Sequence, residues 1–315
     1  MKLAPRQGRT LKPNSRGWGD NIRRHYQLYL MSIPTLIFFI IFLYFPMYGV
    51  QIAFKNYLPS RGILGSPWVG FEHFMRFFRS YNFWDLIKNT LGLSIYQLVA
   101  SFPAPIIFAL LLNEVKNAKF KKTVQMVTYA PHFISTVVMV GMLSIFLSPQ
   151  NGLINQLIVL FGGEPIAFLS KPQYFKTIYV LSGIWQTLGW SSIIYTAALA
   201  GIDPQLHEAA TVDGASKLKR IWHIDIHGIM PTMIIMLIMN TGSIMNIGFE
   251  KVFLLQNDLN IVSSDVISTY VYRAGLIGGE YSFSAAVGLF NSVINCILLV
   301  SVNAISKRVS ETSLW

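Results

Sequence analysis

Along the chain, long apolar runs alternate with short polar stretches, and that alternation sets the expected architecture. An α-helix needs roughly 20 mainly apolar residues to cross the hydrocarbon core of a bilayer. Six runs meet that need: Leu28–Phe54, Phe83–Leu112, Thr123–Leu147, Tyr174–Ala200, Gly228–Leu255 and Ser282–Ile305. The predicted fold class is therefore all-α and integral to the membrane, with six transmembrane helices over 28–305. A basic segment at 1–27 precedes them and a tail at 306–315 follows.

Breaks within the pattern refine it. Pro103 and Pro105 should kink or interrupt the second helix, which neighbouring helices can tolerate by satisfying the freed carbonyls. Tyr129-Ala-Pro-His-Phe133 is a polar break in the third. The stretch Leu153–Phe161 reads as a short amphipathic piece. The loop 57–82 carries Trp68, Phe71, Phe74, Phe77 and Phe78, which suit headgroup level, where aromatic rings gather. A basic N-terminus before an apolar run also suits a signal peptide. No A-x-A site follows the run, however, so a retained first helix is expected.

Composition agrees: 53% of the 315 residues are hydrophobic, only 12% are charged, and the mean hydropathy is +0.47. The net charge of +11 matters less than where it falls. Residues 1–26, the loops 114–122 and 201–227 and the tail hold 16 of the 25 Lys and Arg. By the positive-inside rule these segments, and with them both termini, are expected in the cytoplasm. Anionic lipid and topology account for the basic stretches, and nothing else points to nucleic acid. The single Cys296 excludes an internal disulfide and any multi-Cys metal site. It is expected to be a small core residue.

Polar side chains inside the spans form a second signal. At 100° per residue, Asn240, Ser243, Asn246 and Glu250 share one face of the fifth helix, and Ser284, Gly288, Asn291 and Asn295 one face of the sixth. On the second, Thr90, Ser94, Gln97 and Ser101 do the same. Polar groups at membrane depth are costly and tend to face a bundle interior or a wet path. Their amides and hydroxyls suit sugar hydroxyls, although small polar residues also join helices in membranes. On the fourth helix Trp185, Trp190 and Tyr195 could stack on a sugar ring or simply pack. Candidate path residues are thus Gln97, Trp185, Trp190, Asn240, Ser243, Asn246, Asn291 and Asn295.

The stretch Glu208–Pro231 is the most specific. It is polar and patterned between two apolar runs, and it reads Glu208-Ala209-Ala210-x-x-Asp213-Gly214-Ala215, then Ile221-Trp222, Ile224-x-Ile226 and Pro231. This resembles the cytoplasmic EAA loop of permease subunits in ATP-binding-cassette importers, with His227 where that family usually has proline. Trp68-Val-Gly-Phe71 and Tyr129-Ala-Pro-His-Phe-Ile134 are similar to oligosaccharide-type permeases, and the resemblance covers nearly the whole chain. It implies the six-helix domain of a type I importer in a bacterial plasma membrane. The implied partners are a second related permease, a pair of cytoplasmic ATPases, an extracytoplasmic solute-binding protein and an oligosaccharide. Glu208, Ala209, Ala210, Asp213, Gly214 and Ala215 would be the ATPase-coupling residues. The residue chemistry fits: small side chains allow close docking, and the two acids offer charge-assisted hydrogen bonds.

No phosphate-binding GxxxxGK[ST] loop occurs, so any ATP must be bound by partner subunits, and no cofactor is expected in this chain. No nucleophile–base set or zinc-protease motif suggests an enzyme. His223 and His227 stand at i, i+4 without a third metal ligand in view. The rival class is an ion-coupled secondary transporter, which needs intramembrane acids. Within the spans only Glu250 qualifies, near one end.

Overall fold

A computed structural model describes residues 24–310, with side chains to Arg308; the basic segment before residue 24 and the last five residues lie outside the described part. The described chain is helical, and its one β feature is an isolated antiparallel bridge between Lys55 and Trp68. It divides into two units, meeting between Gln51 and Ile52. The described part of the first unit holds helix α1 (Tyr26–Phe39), a π turn at Ile40–Tyr44 and a short α turn at Phe45–Met47. Pro34 sits inside α1.

The second unit contains α2 (Glu72–Phe78), α3 (Phe83–Ser101), α4 (Pro103–Asn113), α5 (Ala118–Tyr129), α6 (Thr136–Phe146) and α7 (Leu153–Leu160). It continues with α8 (Pro172–Ala200), α9 (Pro204–Val212), α10 (Lys217–Arg220), α11 (Ile226–Gly242) and α12 (Phe249–Leu255). It ends with α13 (Ile267–Tyr272) and α14 (Tyr281–Ser310). Pro103 and Pro105 open α4 after a one-residue step, as their missing N–H groups favour. Between the helical run Ala118–Phe133 and α6 the chain bends by 101°, far beyond a kink. Ser135 starts the new direction by capping α6 through the Val138 N–H.

Four helical runs among the described residues are long and apolar enough to cross a membrane: Tyr26–Phe54, Phe83–Asn113, Lys217–Gly242 and Tyr281–Arg308. A fifth is added if the bent α5–α6 pair is one span. The 29-residue α8 is long enough but is not among them; Ser182, Gln186, Thr187, Ser191, Ser192 and Thr196 dilute its apolar character.

Helix α8 is the axis of the second unit, packing on α3, α4, α5 and α11. Near its start Phe175, Tyr179 and Val180 join a core with Leu93, Met139, Val140, Val252 and Leu255. Near its end Tyr195 and Leu199 join another with Ile106, Ala109, Leu110 and Ile229. The stretch between those clusters is the polar one. A third core gathers Phe77, Leu86, Met245, Ile267, Phe283 and Val287 around α14.

Three expectations change. Phe77 is not at an interface: it is fully buried and packs edge-on against Phe83 and Phe290, while Trp68 and Phe71 stay exposed. Cys296 is exposed rather than core, because its neighbour Asn295 takes the inward position, about 100° around the helix. Third, the fifth apolar run is not one helix to Leu255. It stops at Gly242 and restarts at Phe249. Asn240 and Thr241 hydrogen-bond back to the carbonyls of Met236 and Leu237. The chain then descends in tight turns, Ser243 N–H to Asn240 O, Ile244 N–H to Thr241 O and Asn246 N–H to Ser243 O. Side chains that compete for the backbone, next to two glycines, end a helix. The shared face expected for Asn240, Ser243, Asn246 and Glu250 therefore does not exist.

Candidate functional site

Beside the unwound segment 243–248, four of the eight path residues, Gln97, Asn240, Ser243 and Asn246, nevertheless come together. A cavity of ≈ 250 Å³ opens between α3, α8 and the end of α11, lined by Ser94, Gln97, Ser101, Thr187, Ser191, Tyr195, Asn240, Ser243 and Asn246 among others. It lies near mid-length of α8, between the two apolar cores that this helix serves. Hydroxyls and amides dominate its polar lining, and none of its lining residues is charged. Ser94 Oγ is buried without a hydrogen-bond partner among the described residues.

Asparagines of α14 support the break. Asn295 Oδ1 accepts the Met245 N–H at 2.9 Å, and Asn295 and Asn291 each donate to Asn246 Oδ1, at 3.0 and 3.1 Å. In a membrane protein, irregular backbone persists only where protein or a wet cavity satisfies it. Asn295 is thus a buried scaffold under the cavity, and Asn291 lines a separate groove between α13 and α14. An Asn295→Leu protein should lose about 1–3 kcal/mol through the stranded Met245 amide. Thermal unfolding in detergent, compared with wild type, checks this.

Trp185 and Trp190 lie outside the cavity. Trp185 is half exposed, and Trp190 stacks flat on His132 with ring centroids 4.4 Å apart. Tyr195, which is buried, and Phe102 are the aromatics that reach the lining. Thr187 and Ser191 complete the lining and were not singled out from the sequence. Their four-residue spacing before Tyr195 was the available signal.

The 201–227 loop folds into two short helices with defined ends. Asp203 caps α9 through the Gln205 N–H at 2.9 Å, with Pro204 in the first position. At the other end Ala215 N–H reaches Ala210 O and Gly214 N–H reaches Thr211 O, the paired bonds of a Schellman turn. That turn needs a left-handed residue, and Gly214 supplies φ 73°. Ser216 then caps α10. Glu208, Ala209, Asp213 and Gly214 are exposed, while Ala210 and Ala215 are partly covered. The small residues and both acids therefore sit on one compact protrusion, with a shallow groove beside Glu208 lined by His207, Thr211, Val212 and Arg220.

Three ties brace the protrusion, one between α9 and α10 and two to the segments behind them. Arg220 donates to Thr211 Oγ1 at 2.6 Å, and Lys217 lies 3.8 Å from Glu114 at the end of α4. His207 Nε2 stands 3.2 Å from Asp225 Oδ1. The Asp225 carboxylate is almost fully buried, and its Oδ1 has no well-aligned hydrogen bond, so this last tie is a close polar contact. No sequence pattern marks Asp225, a lone acid before an apolar run. His223 and His227 stack 6.4 Å apart and turn their Nδ1 atoms to the carbonyls of Lys219 and Trp222.

Residues 101–311 match the family described as binding-protein-dependent transport system inner membrane component. The polygalacturonan/rhamnogalacturonan transport system permease protein YteP of Bacillus subtilis (strain 168) is 46% identical over 288 residues, 91% of this chain and 90% of its own. LplB of the same organism is 44% identical over 298 residues, 95% of this chain and 94% of its own. Among solved structures, a chain of a bacterial alginate ABC transporter in complex with an alginate pentasaccharide-bound periplasmic protein superposes with a TM-score of 0.87. It is 41% identical and covers 94% of this chain and 99% of that one. The chain belongs to the family of binding-protein-dependent transport system inner membrane components, membrane permeases rather than enzymes.

Proposed function

We propose that the chain is one permease subunit of an ATP-driven importer of oligosaccharides. The observation that carries this reading is the uncharged cavity of amides and hydroxyls between α3, α8 and the unwound end of α11. Such groups exchange hydrogen bonds with sugar hydroxyls, while Tyr195 offers an apolar ring. The similar proteins point the same way, since one is a polygalacturonan/rhamnogalacturonan permease and another belongs to an alginate transporter.

In this reading the transmembrane domain spans 28–305 with six crossings, α8 being the crossing that is too polar to stand out. Both termini and the 201–227 loop face the cytoplasm of a bacterial cell. The protrusion at 208–215 docks on a pair of ATPase subunits, which bind the nucleotide. A second, related permease closes the path, and a solute-binding protein delivers the sugar. Nucleotide-driven closure of the ATPases would reach the helices as a rigid-body movement through α9 and α10.

Uptake by proteoliposomes tests the scheme. Import of an oligosaccharide should require internal ATP, the cognate ATPases and the binding protein together. Uptake sustained by an ion gradient alone would replace this reading with a secondary transporter.

A further inference from the structure

The ammonium of Lys251 is unused by the roles described above. Lys251 lies in α12 and is only 9% exposed. Its Nζ donates to the Tyr179 carbonyl at 2.7 Å and stands 4.5 Å from the centroid of the Tyr179 ring. Among the described residues no carboxylate comes within ion-pair distance of it. An ammonium has three donor protons, and a buried charge needs more than one carbonyl and a ring face to offset its desolvation.

Its position links it to the cavity. Tyr179, Gly183, Thr187, Ser191 and Tyr195 follow one four-residue ridge of α8. The last three line the cavity, and the first two surround the ammonium. Gly183 makes the room: a Cβ there would come within 3.2 Å of Lys251 Nζ. Thr187, at the cavity edge, donates to the Gly183 carbonyl at 2.9 Å. The positive charge therefore stands about one helical turn beyond the cavity, roughly 5 Å along α8. The backbone leads there too, since Asn246 and Ile247 line the cavity and α12 begins two residues later.

We propose that Lys251 is a specificity-determining residue for substrates that carry a carboxylate. Its ammonium pairs with a uronate group while the amides and hydroxyls of the cavity take the sugar hydroxyls. The inference rests on the oligosaccharide reading and adds the charge of the substrate to it. No charged group of the lining itself could make that distinction.

The test uses the assembled importer in proteoliposomes, with binding protein and ATP. Uptake of trigalacturonate is measured beside uptake of its fully methyl-esterified form. In Lys251→Met the ratio of acid to ester uptake should fall at least about tenfold, the loss of one charge pairing, and Lys251→Arg should restore most of it. An unchanged ratio in Lys251→Met overturns the proposal, whether both rates hold or both fall together, because a packing role would not discriminate. Should the wild type import neither compound although both reach the binding protein, the oligosaccharide reading fails and the proposal with it.

Discussion

A Glu208→Lys protein will fold and insert but lose its ATPase partners, and ATP-driven uptake will fall to background. The separation between folding and coupling follows from where Glu208 sits. It is exposed on α9, and within the described chain its side chain makes no hydrogen bond or ion pair. The ends of α9 are held by Asp203 and by the Gly214 turn, so reversing the charge leaves the local fold intact. The same loop exposes the apolar side chains Leu206, Val212 and Leu218, the kind of surface that excludes water from a docking contact. Like charges brought together in such a contact cost several kcal/mol, so affinity should drop by about 100-fold or more. Co-purification of the ATPases with the tagged permease measures it, and Glu208→Gln should fall in between. Retention of the ATPases by Glu208→Lys at the wild-type level would remove the loop from the coupling scheme.

Gly189→Leu is the second large effect, and it acts on assembly. Helix α8 passes the end of α5 so closely that even a Cβ at Gly189 would overlap the Thr128 carbonyl and the Tyr129 ring. A backbone carbonyl cannot rotate away, so the helices must separate. Overpacking of flexible cores costs about 1–3 kcal/mol, and a leucine against backbone should exceed that. Against a total stability of about 5–15 kcal/mol for soluble domains, such a loss is severe. Little folded protein should survive extraction, judged by size-exclusion profile and unfolding temperature. Gly141→Leu is the control, because Gly141 is exposed and has open space around it. Equal behaviour of the two variants would mean that the close approach at Gly189 does not hold the helices together.

Much of this organisation was legible because membrane helices announce themselves by length and apolarity. The Pro103–Pro105 step, the Tyr129–Phe133 break and the amphipathic α7 all appear where residue chemistry places them. The protrusion was legible too, since Gly214 and its flanking small residues encode a turn. The fate of the fifth run was not. A helical wheel assumes continuity, and the end of α11 depends on Asn295, some 50 positions away, accepting the Met245 N–H. Gathering by an unwound segment brought Asn240, Ser243 and Asn246 to the cavity despite the mistaken wheel. Trp185 and Trp190 drew attention as aromatics, yet they face away from the lining, because side-chain type does not give rotation about the helix axis.

The ridge of hydroxyls on α8 has a consequence for biogenesis. Taken as a crossing, this helix is too polar to partition into lipid on its own at low cost, since every Ser, Thr and Gln must find a partner there. Several hydroxyls ease the passage by bonding to their own helix, as Thr187 does with Gly183 O and Thr196 with Ser192 O. The remainder needs neighbours already alongside, as Gln186 needs the Ile134 carbonyl at the bend between α5 and α6. Such a helix should leave the translocation machinery late and in company, so that the wettable lining of the finished cavity dictates the order in which the bundle is built.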